Sequence, residues 1–243
     1  MMGIFLAVAL GFDPSSAVPP TKEEVVETGR LLALLLDAGR ITIANKQPLI
    51  NDPKKGNKGY TPAVFEQELA ENFQQRTGVN LFTLQQSTVP ELAKPLLAAL
   101  VLASKKAVGD VQHIINLEGI GFKGFIPAAF GTTVASTFRS YTQVYLRQTM
   151  DPPRNPHNSP DDFERRMLAR FAELAYPRQK DAIVSELVDG GKAVRVLLPL
   201  YYQKACLTCH GQPKGERDIT GYPKEGAKEG DFGGAISVKL EIP

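Results

Sequence analysis

Fifty-one consecutive residues of this chain recur 65 positions further on. Residues 31–81 align with residues 96–146 without a gap, and 19 of the 51 pairs are identical. Leu31-Leu32-Ala33 meets Leu96-Leu97-Ala98, and Lys58-Gly59 meets Lys123-Gly124. Pro62-Ala63 meets Pro127-Ala128, and Phe65 and Phe73 meet Phe130 and Phe138. Random pairing yields only a few matches, so a supersecondary unit has been duplicated. Each copy predicts a long helix, from Glu23 to about Lys46 and from Pro90 to about Ile115. Apolar residues such as Val25, Val26, Leu32, Leu35 and Leu36 recur there at helical spacing. A Gly- and Lys-bearing loop follows. A second helix then starts near Pro62 or Pro127, where Pro suits the first turn. Copy one, with helices and no sheet of its own, is expected to pack on copy two as a second subunit would.

The pattern changes after the second copy. The Pro-rich stretch Asp151–Pro160 loses a backbone donor at each Pro and reads as irregular. Asp161-Asp162-Phe163-Glu164 opens a third helix reaching about Ala175, its acids suited to an N-terminus. Residues 181–188, 193–198 and 235–240 carry strand-like β-branched content, and Gly190-Gly191 marks a hairpin. Residues 211–234 are rich in Gly, Lys and Pro and read as loop. The expected class is α+β, long helices packed on a small antiparallel sheet, with an N-terminal duplicated helical unit. Residues 1–18 read as a signal peptide, because the apolar run Gly3–Leu10 is followed by the small residues Ser15 and Ala17. Residues 19–89 then form the first helical unit, and residues 90–243 the second unit joined to the sheet.

Composition removes several function classes. Of 243 residues, 43% are hydrophobic and 22% charged, ordinary for a globular chain. Lys plus Arg is 28 against 26 for Asp plus Glu, a net charge of +2 with no electrostatic footprint for nucleic acid. No apolar run reaches the roughly 18 residues of a transmembrane span. Two cysteines are too few for a disulfide scaffold or a structural zinc site.

Both cysteines and one of the three histidines lie in Cys206-Leu207-Thr208-Cys209-His210, the C-x-x-C-H attachment signature of c-type haem. Two thiols three residues apart can reach the two vinyl groups of one haem. The adjacent imidazole then supplies an axial nitrogen to iron. A thioredoxin-like dithiol needs a helix opening at the motif, and Gly211, Pro213 and Gly215 break one there. The expected cofactor is one covalent haem c, with His210 as iron ligand. Covalent haem of this kind is attached outside the cytoplasm, so a periplasmic or otherwise exported location is expected.

Four ordered blocks resemble the PAS-like c-type haem family of bacteria. They are Asn155–Glu164, Leu198–Tyr202, Cys206–Gly211 and Gly230–Val238. The resemblance covers about residues 96–243, and 23–95 more weakly. It implies a long helix on a PAS-like antiparallel sheet that cradles one haem. Family members serve as haem sensor modules on kinases and chemoreceptors, or as small free-standing haem proteins. The resemblance also implies a distal ligand from the long helix before the Lys-Gly loop, which points to Val111–Asn116. His113 lies there, where copy one carries Pro48, and is the candidate second iron ligand. His157, Met150, Met167 or water are the alternatives. Arg154, and after it Arg147, are candidates to pair haem propionates through a bidentate fork. One of Tyr201 and Tyr202 should face the pocket and the other point away.

No Ser/His/Asp set or phosphate loop suggests an enzyme. No kinase or methyl-accepting segment follows Pro243, so the expected role is electron transfer or redox buffering with an unidentified protein partner. The alternative is a sensor of redox state or a diatomic gas that signals to a separate protein.

Overall fold

The computed structural model describes residues 19–242; the expected signal peptide, 1–18, lies outside the described residues. The first helix, α1 (Lys22–Asn45), opens with a capping box. The Thr21 hydroxyl accepts from Glu24 N at 3.2 Å, and Glu24 accepts from Thr21 N at 2.7 Å. Leu31 through Leu36, Ala38 and Ile43 are all buried, so the helix is enclosed on every side. A single turn, α2 (Gln47–Ile50), follows, and then α3 (Pro62–Thr77). Copy two repeats this order with α4 (Ala93–Asp110), α5 (Gln112–Ile115) and α6 (Pro127–Thr142). Each second helix ends in a left-handed residue, Gly78 at φ 75° and Gln143 at φ 61°.

The two copies hold each other through a reciprocal pair of bonds. Asn51 accepts from Lys123 N at 3.0 Å, and its counterpart Asn116 accepts from Lys58 N at 3.1 Å. The two lysines are only 4% and 7% exposed. Each ammonium is enclosed by carbonyls of its own loop, those of Lys55 and Gly56 for Lys58, and of Leu117 and Ile120 for Lys123. A buried cation needs such partners. Phe65 and Phe130, also counterparts, meet with ring centroids 5.4 Å apart. The copies therefore pair as two subunits of a symmetric dimer would, within one chain.

The sheet is antiparallel, in the order β1 (Tyr145–Thr149), β4 (Phe232–Glu241), β3 (Ala193–Tyr201), β2 (Val184–Val188). Three of these strands match the expectation. Strand β1 was not anticipated, because it begins inside the repeat, where Leu146 aligns with Leu81 of a 3-10 turn. Val194, Val196 and Leu198 face α1. On the other face Leu197 and Ala235 pack with Met167, Leu168 and Phe171 of α7 (Asp162–Ala172).

The long helix on the sheet is thus α1 from copy one, whereas the sequence placed copy two's long helix there. Helix α4 packs instead on α1, α3 and α6. One position accounts for the choice. A Cβ at Gly29 would lie 2.7 Å from Val196, so only glycine permits that approach. Sixty-five positions on, just ahead of the aligned repeat, stands Lys94, whose ammonium is engaged by Gln85 O at 3.1 Å and Glu91 at 2.5 Å. The expected division at residues 89 and 90 therefore cuts across the packing.

A buried ionic cluster fastens α7 to the sheet. Arg195, 7% exposed, donates to Glu164 at 2.9 Å, to Asp161 at 2.9 Å and to Ser237 at 2.9 Å. Glu164 is fully buried and also accepts from the Tyr145 hydroxyl at 2.8 Å. The guanidinium lies over the rings of Tyr145 and Phe163, 4.8 Å from each centroid.

Two stability measurements check these contacts. Asn116→Ala strands the buried Lys58 amide and is expected to cost about 1–3 kcal/mol in denaturant unfolding. Glu164→Gln leaves the Arg195 charge short of its most buried partner; about 3 kcal/mol is expected, the lower end for a broken buried pair, because Asp161 remains.

Candidate cofactor-binding site

Strands β3 and β4 open toward the same end of the sheet, and the motif lies in the segment between them. Two bonds close its base: Tyr202 N donates to Asp231 O at 2.8 Å, and Gly230 N to Tyr202 O at 2.8 Å. The chain then forms a 3-10 turn, Lys204–Cys206, and one helical turn, α8 (Leu207–His210). The turn ends at Gly211, at φ −79° and ψ −147°, where a Cβ would meet the Leu207 carbonyl at 2.5 Å and glycine is therefore required. The expected loop is present but ends at Asp231, where β4 takes over three residues earlier than the 211–234 expectation. It folds back as a small hairpin, with Gly215 N to Lys224 O at 2.9 Å and Asp218 N to Tyr222 O at 2.8 Å. Its return arm reaches the motif, where Ala227 N donates to His210 O at 2.8 Å.

That return arm brings Glu225 against His210. The Nδ1 of His210 lies 2.9 Å from Glu225 Oε2. An ionised carboxylate only accepts, so Nδ1 carries the proton and Nε2 keeps the free lone pair. The Tyr202 ring stacks on the imidazole at 4.7 Å and 28°. Tyr202 is therefore the tyrosine that faces the motif, and Tyr201 packs toward Phe232.

Arg154 reaches this cluster. Its fork donates to Glu225 at 2.6 and 2.7 Å, to Asp218 at 2.6 Å and to Cys209 O at 3.0 Å. These bonds tie the Pro-rich segment to the motif and order the loop around it.

The charges settle the protonation states. Burial, then the nearby Arg154 cation, push the His210 imidazole below its ordinary value and keep it neutral. Burial opposes ionisation of Glu225, yet the bonds from Arg154 and His210 hold it below the usual carboxylate range. Burial raises the Cys209 thiol, so it rests protonated. Both cysteines are free thiols. Among the described residues no group of three His, Cys, Asp or Glu side chains is placed to hold a bare metal ion. The two thiols and the imidazole suit a larger group touched at separate points.

The other candidates lie elsewhere. His113 is exposed on α5, which packs on α4, whereas the turn before the motif packs on α1. The structure does not bring His113 to Cys206, Cys209 and His210, because α1 and not α4 lies along the sheet. His157 is exposed in a 3-10 turn, and its carbonyl accepts from Arg147 at 2.7 Å. Arg147 also binds Ser159 O at 2.6 Å and so braces the Pro-rich loop. Met167 belongs to the core under α7. Met150 lines a hollow of about 510 Å³ with Arg165, Leu168, Arg178 and Phe232, which holds no motif residue.

Comparison with known proteins adds a family. The Tll0287-like family model matches residues 19–241, across both copies and the sheet. The solved structure of the cyanobacterial heme-protein Tll0287 aligns with 63% of this chain and 97% of its own, at 20% identity and a TM-score of 0.43. No curated protein sequence matches.

Sequence reasoning missed Glu225 and Asp218. Their only signal is that they are acids inside a Gly-rich loop, and nothing in the spacing singles them out. Burial opposes the Asp218 charge, but the Thr220 hydroxyl and Arg154 hold its carboxyl at about 2, against an ordinary 3.8. This depressed value makes a contribution to stability that is present above pH 3.8 and lost as pH falls toward 2. Asp218→Asn is expected to cost about 1–3 kcal/mol at neutral pH and to flatten the acid limb of the stability curve. Denaturant unfolding across pH checks both.

Proposed function

The chain belongs to the Tll0287-like family, and on that premise we propose that it is an exported protein carrying one covalent haem c for electron transfer or redox buffering. The observation that carries the proposal is the setting of His210. Its Nδ1 is tied to Glu225 at 2.9 Å, which leaves Nε2 as the nitrogen available to iron. Both thiols of the C-x-x-C-H motif are free and sit within one helical turn of that imidazole. Cys206 and Cys209 would hold the group through thioethers, and His210 would ligate it. Tyr202 fixes the plane of the imidazole by stacking on it. Haem, when bound, supplies a one-electron iron couple.

Export is supported by residues 1–18, which read as a signal peptide, and by the extracytoplasmic setting in which such haem is attached. Among the described residues no helix is long and apolar enough to cross a membrane. The partner is proposed to be another redox or signalling protein.

The test is expression in a host that matures c-type haem. The denatured, acid-acetone-extracted chain should stay coloured and exceed its apoprotein mass by one haem, and Cys206→Ser or Cys209→Ser should lower covalent retention. Reduced spectra with and without CO separate electron transfer from gas sensing, an unchanged spectrum favouring electron transfer, and His113→Ala should leave the spectrum as it is. A colourless chain at apoprotein mass overturns the proposal; CO binding moves the reading from electron transfer to gas sensing.

A further inference from the structure

We infer that Glu225 is a positioning residue that sets the electron affinity of the iron through His210; this rests on the haem reading above. Two restraints act on the imidazole and a third on its backbone. Glu225 accepts at Nδ1 at 2.9 Å, Tyr202 stacks on one ring face at 4.7 Å, and Ala227 N holds the backbone carbonyl at 2.8 Å. Turning the ring to free Nδ1 breaks the Glu225 bond, and tilting it out of its plane breaks the Tyr202 stack.

A carboxylate that accepts from Nδ1–H draws the proton toward itself and makes Nε2 a stronger electron donor. A stronger donor favours ferric over ferrous iron, so the reduction potential falls. The change in question is one electron gained by the iron, with no bond broken and no proton moved at His210.

Arg154 sets how strongly Glu225 acts. Its fork binds both carboxylate oxygens, at 2.6 and 2.7 Å, and Asp218 anchors it at 2.6 Å. Donation from Arg154 spreads the Glu225 charge and moderates its pull on the His210 proton. The loop thus carries an acceptor and a brake on that acceptor. Glu225 and Arg154 come from segments 71 residues apart that only the fold joins.

The experiment is spectroelectrochemistry on the haem-loaded full chain and three variants. Glu225→Gln keeps the shape and removes the charge. Its ferric–ferrous equilibrium is expected to shift toward the ferrous form by about tenfold, about 59 mV for one electron. Arg154→Lys keeps the charge but loses the two-pronged hold on Glu225, and its potential is expected to move down. Glu229→Gln removes an exposed acid of the same loop and is expected to leave the potential in place. An unchanged potential in both Glu225→Gln and Arg154→Lys overturns the inference, as does a Glu229→Gln shift equal to that of Glu225→Gln. If Glu225→Gln does not accumulate, the sign of the Arg154→Lys shift decides. A wild-type chain that holds no haem is a separate failure, visible as loss of colour, and it overturns the haem reading itself.

Discussion

Helix α1 can lie against the sheet because residue 29 has no side chain. At that point the helix backbone comes within reach of Val196, and a single Cβ would enter its methyl group. Everything else is arranged around this contact. The apolar circumference of α1 is covered by the sheet on one side and by α3, α4 and α6 on the others. A helix apolar all round has no stable place at a surface, so its burial holds copy one, copy two and the sheet in one body. The reciprocal Asn51 and Asn116 bonds then fix the register of the two copies against each other.

The motif gains from this frame without belonging to it. It sits where β3 ends and β4 begins, at the same end of the sheet as the Pro-rich loop that carries Arg154. One short chain of charge-assisted bonds, from Asp218 through Arg154 to Glu225 and His210, turns a flexible Gly-rich segment into a defined wall. Cys206, Cys209 and His210 sit together there, and the charged chain holds the imidazole in place.

The duplication, the C-x-x-C-H motif, three strands, the hairpin and the long loop were legible because each is a local pattern. Periodicity, β-branched content and Pro or Gly punctuation report on neighbours in sequence. Strand β1 was hidden, since it belongs to a repeat whose other copy leaves the same helix into a 3-10 turn. Arg154 stood out beside the motif, but its pairing with Asp218 and Glu225 did not. A lone arginine does not announce whether protein carboxylates or a ligand's will occupy its fork. His113 stood out as a substitution for Pro48, yet it is exposed on α5, which packs on α4.

From its residues alone this chain determined an α+β fold with a twofold internal repeat, and a pentapeptide with the chemistry to hold haem. Those features follow from spacing along one chain. Tertiary structure decided which long helix meets the sheet and which acid meets His210. The two long helices are alike in apolar pattern, and steric room at Gly29 against a buried ammonium at Lys94 separates them. The pairing with Glu225 depends on a loop folding back across 15 residues. Any of several acids has the right charge, and only the folded backbone brings one of them to 2.9 Å.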